Sequence, residues 1–123
     1  MPTDQEFHTL ENTLKDSGQS CVSTRNSEMF GTDSCIGAGT SMKINGTSDF
    51  DAILLGARTS ENSAYLSWGS EFQGLDTKVY FWTANETSTS SATTRIIAAD
   101  ASGTYRVSKD KLGAFAVRCI RDY

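Results

Sequence analysis

The sequence predicts an α+β domain in which an N-terminal helix packs on a twisted antiparallel sheet carrying long irregular loops. Three observations lead there. A capped amphipathic helix signal is confined to the first sixteen residues. Short apolar runs then recur with turn residues between them about every ten positions, the spacing of an antiparallel sheet. Thirty-one of the 123 residues are Ser or Thr and one is Pro, a mixture suited to β-rich surfaces and hydrogen-bonding loops.

The helix begins at a capping box. In Thr3-Asp4-Gln5-Glu6 the Thr3 hydroxyl can accept from the Glu6 amide while the Glu6 carboxylate reaches back to the Thr3 amide. Phe7, Leu10 and Leu14 repeat at i, i+3 and i+7 as one apolar stripe, and Gly18 supplies the stop. The helix is expected over residues 4–16, with Glu11, Asn12 and Lys15 on its solvent side. His8, the single histidine, has no Cys or second His at ligand spacing and reads as a solvated or partly packed residue.

From Gln19 to Gly39 periodicity vanishes, and Asn26, Gly31, Asp33, Gly37 and Gly39 punctuate a long loop. Met42 and Ile44 alternate in a short strand or turn before the Asn45-Gly46 turn. Residues 50–55 read as a buried strand ending at Gly56, and residues 64–68 as another. Residues 78–83, the most apolar run, predict a central strand whose aromatics fill the core. Residues 94–99 and 104–108 follow as a hairpin about the turn Asp100-Ala101-Ser102-Gly103. The chain closes on residues 113–122, where alternation places Phe115, Val117 and Cys119 on a core face and ties the terminus into the sheet.

Length sets one domain, and the composition narrows the function. A net charge of −4 with scattered Lys and Arg lacks the basic field that nucleic acid requires. No run of 18 apolar residues exists, so no helical membrane insertion is expected. No leader is visible at Met1, which starts either a natural chain or a fragment of a longer secreted one. The odd cysteine count fits three thiols, or one disulfide with a leftover. The candidate bridge is Cys21–Cys35, closing 13 intervening residues with little to pack, for about 3 kcal/mol of unfolded-state entropy.

No catalytic residues are assigned, because His8 alone gives no Cys-His or Ser-His constellation. No cofactor or metal is assigned either: Asn45, Ser48, Asp49 and Asp51 cluster oxygens without EF-hand spacing and read as a polar turn. Binding is the better-supported expectation. Tyr65, Trp68, Glu71 and Phe72 lie where aromatics alternate with small polar residues, a mixture that presents flat rings to a sugar or protein unless the rings are core. Asn85 and Glu86 open a Ser/Thr-rich loop that is the second candidate surface. Asn45-Gly46-Thr47 and Asn85-Glu86-Thr87 are acceptor sequons and predict exposure.

Five segments in order resemble the Fibrobacter succinogenes major paralogous domain: P-T-D-x-E-F-x-x-L-E-x-x-L, G-T-S-M-K, D-F-D-A-I-L-L-G-A-R, Y-F-W-T-A-N-E-T and K-L-G-A-F-A-V-R-C-I-R-D. The matching family marks fall at Pro2-Thr3, 50–58, 82–84 and 117–122. Leu55 replaces the family's Pro, and Trp82-Thr83-Ala84-Asn85 replaces its Trp-Ser-Ser-Thr. The resemblance implies a C-type lectin-like fold, in its formylglycine-generating-enzyme and collagen-like-adhesin branches, with irregular loops carrying ligand sites. It implies an extracellular or cell-surface bacterial module for adhesion or carbohydrate binding, with a glycan or surface protein as partner. The alternative is a spacer domain with no ligand of its own. The family's Cys-Pro-x-Gly-Trp segment and the strands before the helix are missing, which implies a short form or trimmed fragment and leaves Cys119 unpaired. An edge of the closing strand would then be covered by a homo-oligomer or partner chain, by the 19–39 loop, or by solvent.

Overall fold

The computed structural model describes residues 1–26, 34–58 and 72–121. The chain runs α1 (Asp4–Leu14), α2 (Ala38–Met42), β1 (Leu55–Ala57), β2 (Gln73–Leu75), β3 (Lys78–Glu86), β4 (Ser91–Ala98) and β5 (Tyr105–Asp110). The five strands form one sheet in the order β2-β1-β3-β4-β5. This is an α+β domain, but its sheet is mixed: β1 and β3 run parallel, every other pair antiparallel. The parallel step arises because β2 reverses at the outer edge, so the next strand lands on the opposite side of β1 with β1's own direction.

The capping box forms as the sequence dictates. Thr3 Oγ1 accepts from the Glu6 amide at 3.2 Å and Glu6 Oε2 accepts from the Thr3 amide at 2.7 Å. The helix stops two residues before its expected end, because Lys15 turns extended and the Asp16 amide donates to Ile36 O at 2.7 Å. Tertiary hydrogen bonding thus ends a helix that local propensity would have continued.

Both faces of the sheet are covered. On one, Phe7 of α1 and Met42 of α2 meet Val79, Phe81 and Ile97. The rings of Phe7, Phe50 and Phe81 form a triangle with centroids 5.6–6.3 Å apart. On the other face, Tyr80, Ile96 and Tyr105 pack with Ala57, and Phe115 stacks on Tyr80 at 5.0 Å. Two-sided coverage explains why β4 is buried continuously from Ala92 to Ala98 instead of alternating.

Several expected elements differ. Residues 38–42 are helix, where the loop was expected to run to Gly39 and Met42 to begin a short strand or turn, and α2 lies against the β4–β5 turn: the Gly37 and Thr40 amides both donate to Ser102 O, at 3.0 and 3.1 Å. A Cβ on Gly39 would stand 2.0 Å from Gly103 O, so only glycine permits this approach. The expected strand over residues 50–55 reduces to a single bridge at Ala52 and the short β1. Positive φ angles at Asp51 (48°) and Gly56 (73°) break the extended run, leaving Ile53 57% exposed. The edge strand β2 escaped the sequence reading, and the strand expected at 64–68 lies outside the described residues.

The closing segment is tied to the sheet, but by isolated bridges, and of the expected core face Phe115 packs inward against Tyr80 and Trp82 while Val117 and Cys119 do not. Ala114 pairs with Arg58, and Ala116 pairs with Phe81 through bonds to Tyr80 O and the Trp82 amide. It takes up the edge of β3 beyond the point where β1 ends. One edge of the segment, at 114 and 116, is therefore met from within the chain. Ala116 reaches the first core cluster, whereas Val117 is 58% exposed and Cys119 is an exposed thiol, not a core position. After Ala116 the ladder stops and no longer enforces alternation. Arg118, expected on the outward face, lies over the Phe50 ring at 4.6 Å.

Candidate functional site

Two features of the described residues lie outside ordinary core packing. One is an exposed apolar surface at the β2 edge. The chain leaves α2 at Lys43, turns at Asn45-Gly46, and returns to pair Ala52 with Lys43. This places Ile44 beside Ile53, both 57% exposed. Asp76, whose amide donates to Leu54 O at 2.7 Å, closes the other side. The result is an open hollow of about 280 Å³ lined by Lys43, Ile44, Ala52, Ile53, Leu54, Asp76 and Ala99. Leu55 and Leu75 adjoin its lining residues in the chain, are register partners of β1 and β2, and are both more than half exposed. Cross-strand partners project to the same side, so these leucines stand together. Phe72, immediately before β2, is 70% exposed.

The charged rim is built from fixed groups. Lys43 Nζ donates to Ala98 O, Ala99 O and Ala101 O at 2.9, 3.2 and 2.8 Å, which locks the end of β4 against the hollow. Burial pushes the Lys43 ammonium below its usual range, and Asp100 opposes that shift. Asp100 and Lys78 line a second, adjoining hollow that shares Ala99.

The other feature is a buried ion network between α1 and the sheet. Glu11, expected on the solvent side, is fully buried, and Arg95 of β4 is 1% exposed. Glu11 Oε2 accepts from Arg95 Nη1 at 3.0 Å and from Arg25 Nη2 at 2.8 Å. Arg95 Nη2 also reaches Asp4 Oδ1 at 2.6 Å, and Arg106 embraces the same carboxylate through Nε and Nη2 at 3.0 Å. Burial raises the Asp4 value, but the Arg106 hydrogen bond and the charges of Arg95 and Arg106 together outweigh it and hold the carboxyl below its usual range. Arg106 Nη1 donates to Arg25 O at 2.7 Å and Arg25 Nη1 to Val22 O at 2.9 Å, so the network also anchors the loop bonded through Cys21–Cys35. Burying such ions is costly unless each is paired, and the pairing here fixes helix, loop and sheet in one geometry.

The residues expected to bind ligand separate. Tyr65, Trp68 and Glu71 lie outside the described residues. Phe72 is exposed immediately before β2 and does not line the hollow. Asn85 and Glu86 sit near the far end of β3, roughly 20 Å along the strand from Lys78. Asn85 Oδ1 accepts from the Asp4 amide at 2.7 Å, so its carboxamide secures the helix start. Glu86 is exposed and ion-paired with Lys111.

Ile44, Ile53, Leu75 and Asp76 were missed. Ile44 and Leu75 border the turns at 45–46 and 76–77 and Asp76 lies in the second, whereas Ile53 carried no such signal, because aliphatic residues in short runs read as core. The network had a clearer signal: Asp4, Phe7, Glu11 and Leu14 share a helix face at i, i+3, i+7 and i+10. Among the described residues no helix is long and apolar enough to cross a membrane. Comparisons with curated proteins and with solved structures gave no match. The model of the Fibrobacter succinogenes major domain matches residues 1–121, and the chain belongs to that family.

Proposed function

We propose that this domain is a non-catalytic binding module of an extracellular or cell-surface protein, and that it recognises a protein partner through the β2-edge hollow. The observation that carries this reading is that Ile44 and Ile53, both exposed, line one concavity, and that the exposed cross-strand pair Leu55 and Leu75 adjoins its lining in the chain. Contiguous exposed apolar surface rimmed by charge is the mark of an interaction site. Aliphatic side chains favour a protein over a glycan, because they offer non-directional apolar contact without the stacked rings and convergent hydrogen bonds that sugar hydroxyls need. The Cys21–Cys35 bond supports an oxidising location. The helix packed on a sheet covered on both faces, with irregular connections, supports a relationship to the C-type lectin-like fold.

The test is binding of the domain to matched panels of immobilised surface proteins and glycans, repeated with Ile53→Asp and Leu75→Asp. Protein binding lost in both variants at unchanged melting temperature is the expected result. Binding that survives both substitutions would place the ligand surface elsewhere. Silence on both panels would favour the spacer role.

A further inference from the structure

Lys43 and Asp76 are the two charged residues lining the β2-edge hollow, and they are not equivalent. An ammonium has three N–H donors, and Lys43 uses all three on Ala98 O, Ala99 O and Ala101 O at 2.9, 3.2 and 2.8 Å. It has no donor left for a ligand. The Asp76 carboxylate, by contrast, has no hydrogen-bond or ion-pair partner among the described residues.

Backbone bonds on both sides hold Asp76 in place. Its amide donates to Leu54 O at 2.7 Å, the Thr77 amide donates to Gly74 O at 3.0 Å, and Thr77 O accepts from the Ala99 amide at 2.8 Å. Asp76 sits in the left-handed region, φ 62°, which Asp and Asn adopt more readily than most residues with a Cβ. Asp51 and Asp100 are also exposed, each next in the chain to a lining residue, Ala52 and Ala99. Asp100 is balanced by the charges of Lys43 and Lys78. The charge that the hollow itself leaves free is therefore negative, and it accepts hydrogen bonds.

The remaining lining is aliphatic, with Ile44 and Ile53 both 57% exposed beside Ala52 and Leu54. At about 280 Å³ the hollow falls just below the roughly 300 Å³ at which small-molecule sites begin. It suits one side chain delivered by a larger partner that also covers Leu55 and Leu75.

We propose, on the reading that this hollow docks a protein, that the partner presents an aliphatic side chain next to a lysine or arginine: the aliphatic group enters beside Ile44 and Ile53, and the cation pairs with the Asp76 carboxylate. An acidic segment would meet uncompensated like charge there, so the hollow selects against it as well as for a basic one. The net charge of −4 acts in the same direction at long range and draws a basic partner in at low salt. Apolar contact supplies most of the affinity, since an exposed ion pair changes binding by only about 1.5- to 5-fold. Asp76 decides between partners of equal apolar content.

The test titrates the whole chain, labelled at its isoleucine methyl groups, with four end-blocked pentapeptides. They carry Lys-Leu-Lys, Gln-Leu-Gln, Glu-Leu-Glu or Lys-Ser-Lys between two glycines, and methyl NMR reads both the place and the strength of binding. Lys-Leu-Lys should shift the Ile44 and Ile53 signals and bind about threefold more tightly than Gln-Leu-Gln at low salt, an advantage that shrinks as salt is added. Glu-Leu-Glu should bind more weakly than either, and Lys-Ser-Lys should leave both signals in place. Asp76→Asn, which keeps the side-chain shape and tolerates the positive φ, should reduce Lys-Leu-Lys to the affinity of Gln-Leu-Gln at unchanged melting temperature. Asp110→Asn removes the same charge from β5, at the opposite edge of the sheet, and should preserve the lysine advantage.

Equal affinities for Lys-Leu-Lys and Gln-Leu-Gln, a lysine advantage that survives Asp76→Asn, or one that Asp110→Asn removes equally would each overturn the charge selection and leave the hollow as an aliphatic docking site. Equal shifts with Lys-Ser-Lys would overturn the aliphatic anchor. Ile44 and Ile53 signals unmoved by every leucine peptide at millimolar concentration would overturn both the selection and the docking site. The peptide comparison on the unaltered chain stands independently of either variant.

Discussion

Arg95 Nη1 donates to Glu11 Oε2 at 3.0 Å across 84 residues of sequence, with both side chains fully enclosed. This contact joins the middle of the helix to the most buried strand, and the side chains around it fix the 21–26 segment and β5. Replacing Glu11 by Gln should destabilise the domain by about 3 to 5 kcal/mol, because it strands buried guanidinium charge. Chemical denaturation checks this, with the slope expected to stay constant if the native state is otherwise intact.

Asp4 makes the same network pH-sensitive. Its folded value is depressed below the ordinary carboxylate value of 3.8, so its contribution is fully present above that pH and is lost as pH falls through the lower folded value. Asp4→Asn should lower stability at neutral pH and flatten the acid limb of the stability profile below about pH 4. Melting temperatures between pH 2 and 7 would reveal this, and parallel profiles for the two proteins would contradict it.

Tyr80 titrates at the opposite end. Burial raises its hydroxyl to about 12. A raised acid contributes stability below the unfolded value near 10, lost as pH rises through that value toward the folded one. Ultraviolet titration of the native protein should show a late-ionising tyrosine that disappears in Tyr80→Phe.

The exposed apolar surface and the core beside it should respond oppositely to charge. Ile53→Asp and Leu75→Asp should change stability by no more than about 0.5 kcal/mol, as substitutions outside the core do. Ala52→Asp, one residue from Ile53 but 1% exposed, should prevent folding by burying an unpaired carboxylate. Thermal melts of the three variants separate surface from core.

Joint replacement of Cys21 and Cys35 by Ser should cost about 2 to 4 kcal/mol by restoring freedom to the loop they close. Cys119→Ser should cost almost nothing, since that thiol is exposed. Comparing the two variants by denaturation checks both values.

Local chemistry in the sequence determined the capped helix at Thr3-Asp4-Gln5-Glu6, the β3, β4 and β5 strands, the turn between the last two, and the family. Each depends on neighbours within a few residues: a hydroxyl three positions from a carboxylate, an apolar run ended by a turn. The tertiary structure alone decided what depends on partners far away. Glu11 shares the helix face of Phe7 and Leu14, which the pattern could show, but its partner Arg95 lies 84 residues on, so the ion pair itself could not be read from the helix. Ile53 and Leu75 carry the same side chains as core residues, but positive φ angles at Asp51 and Gly56 flank the first and at Gly74 and Asp76 the second, and these backbone turns accompany their exposure. The closing segment shows both limits. Its alternation correctly tied it to the sheet, but the ladder ended at Ala116, and beyond that point the packing of Arg118 over Phe50, not strand periodicity, determined which side chains faced water.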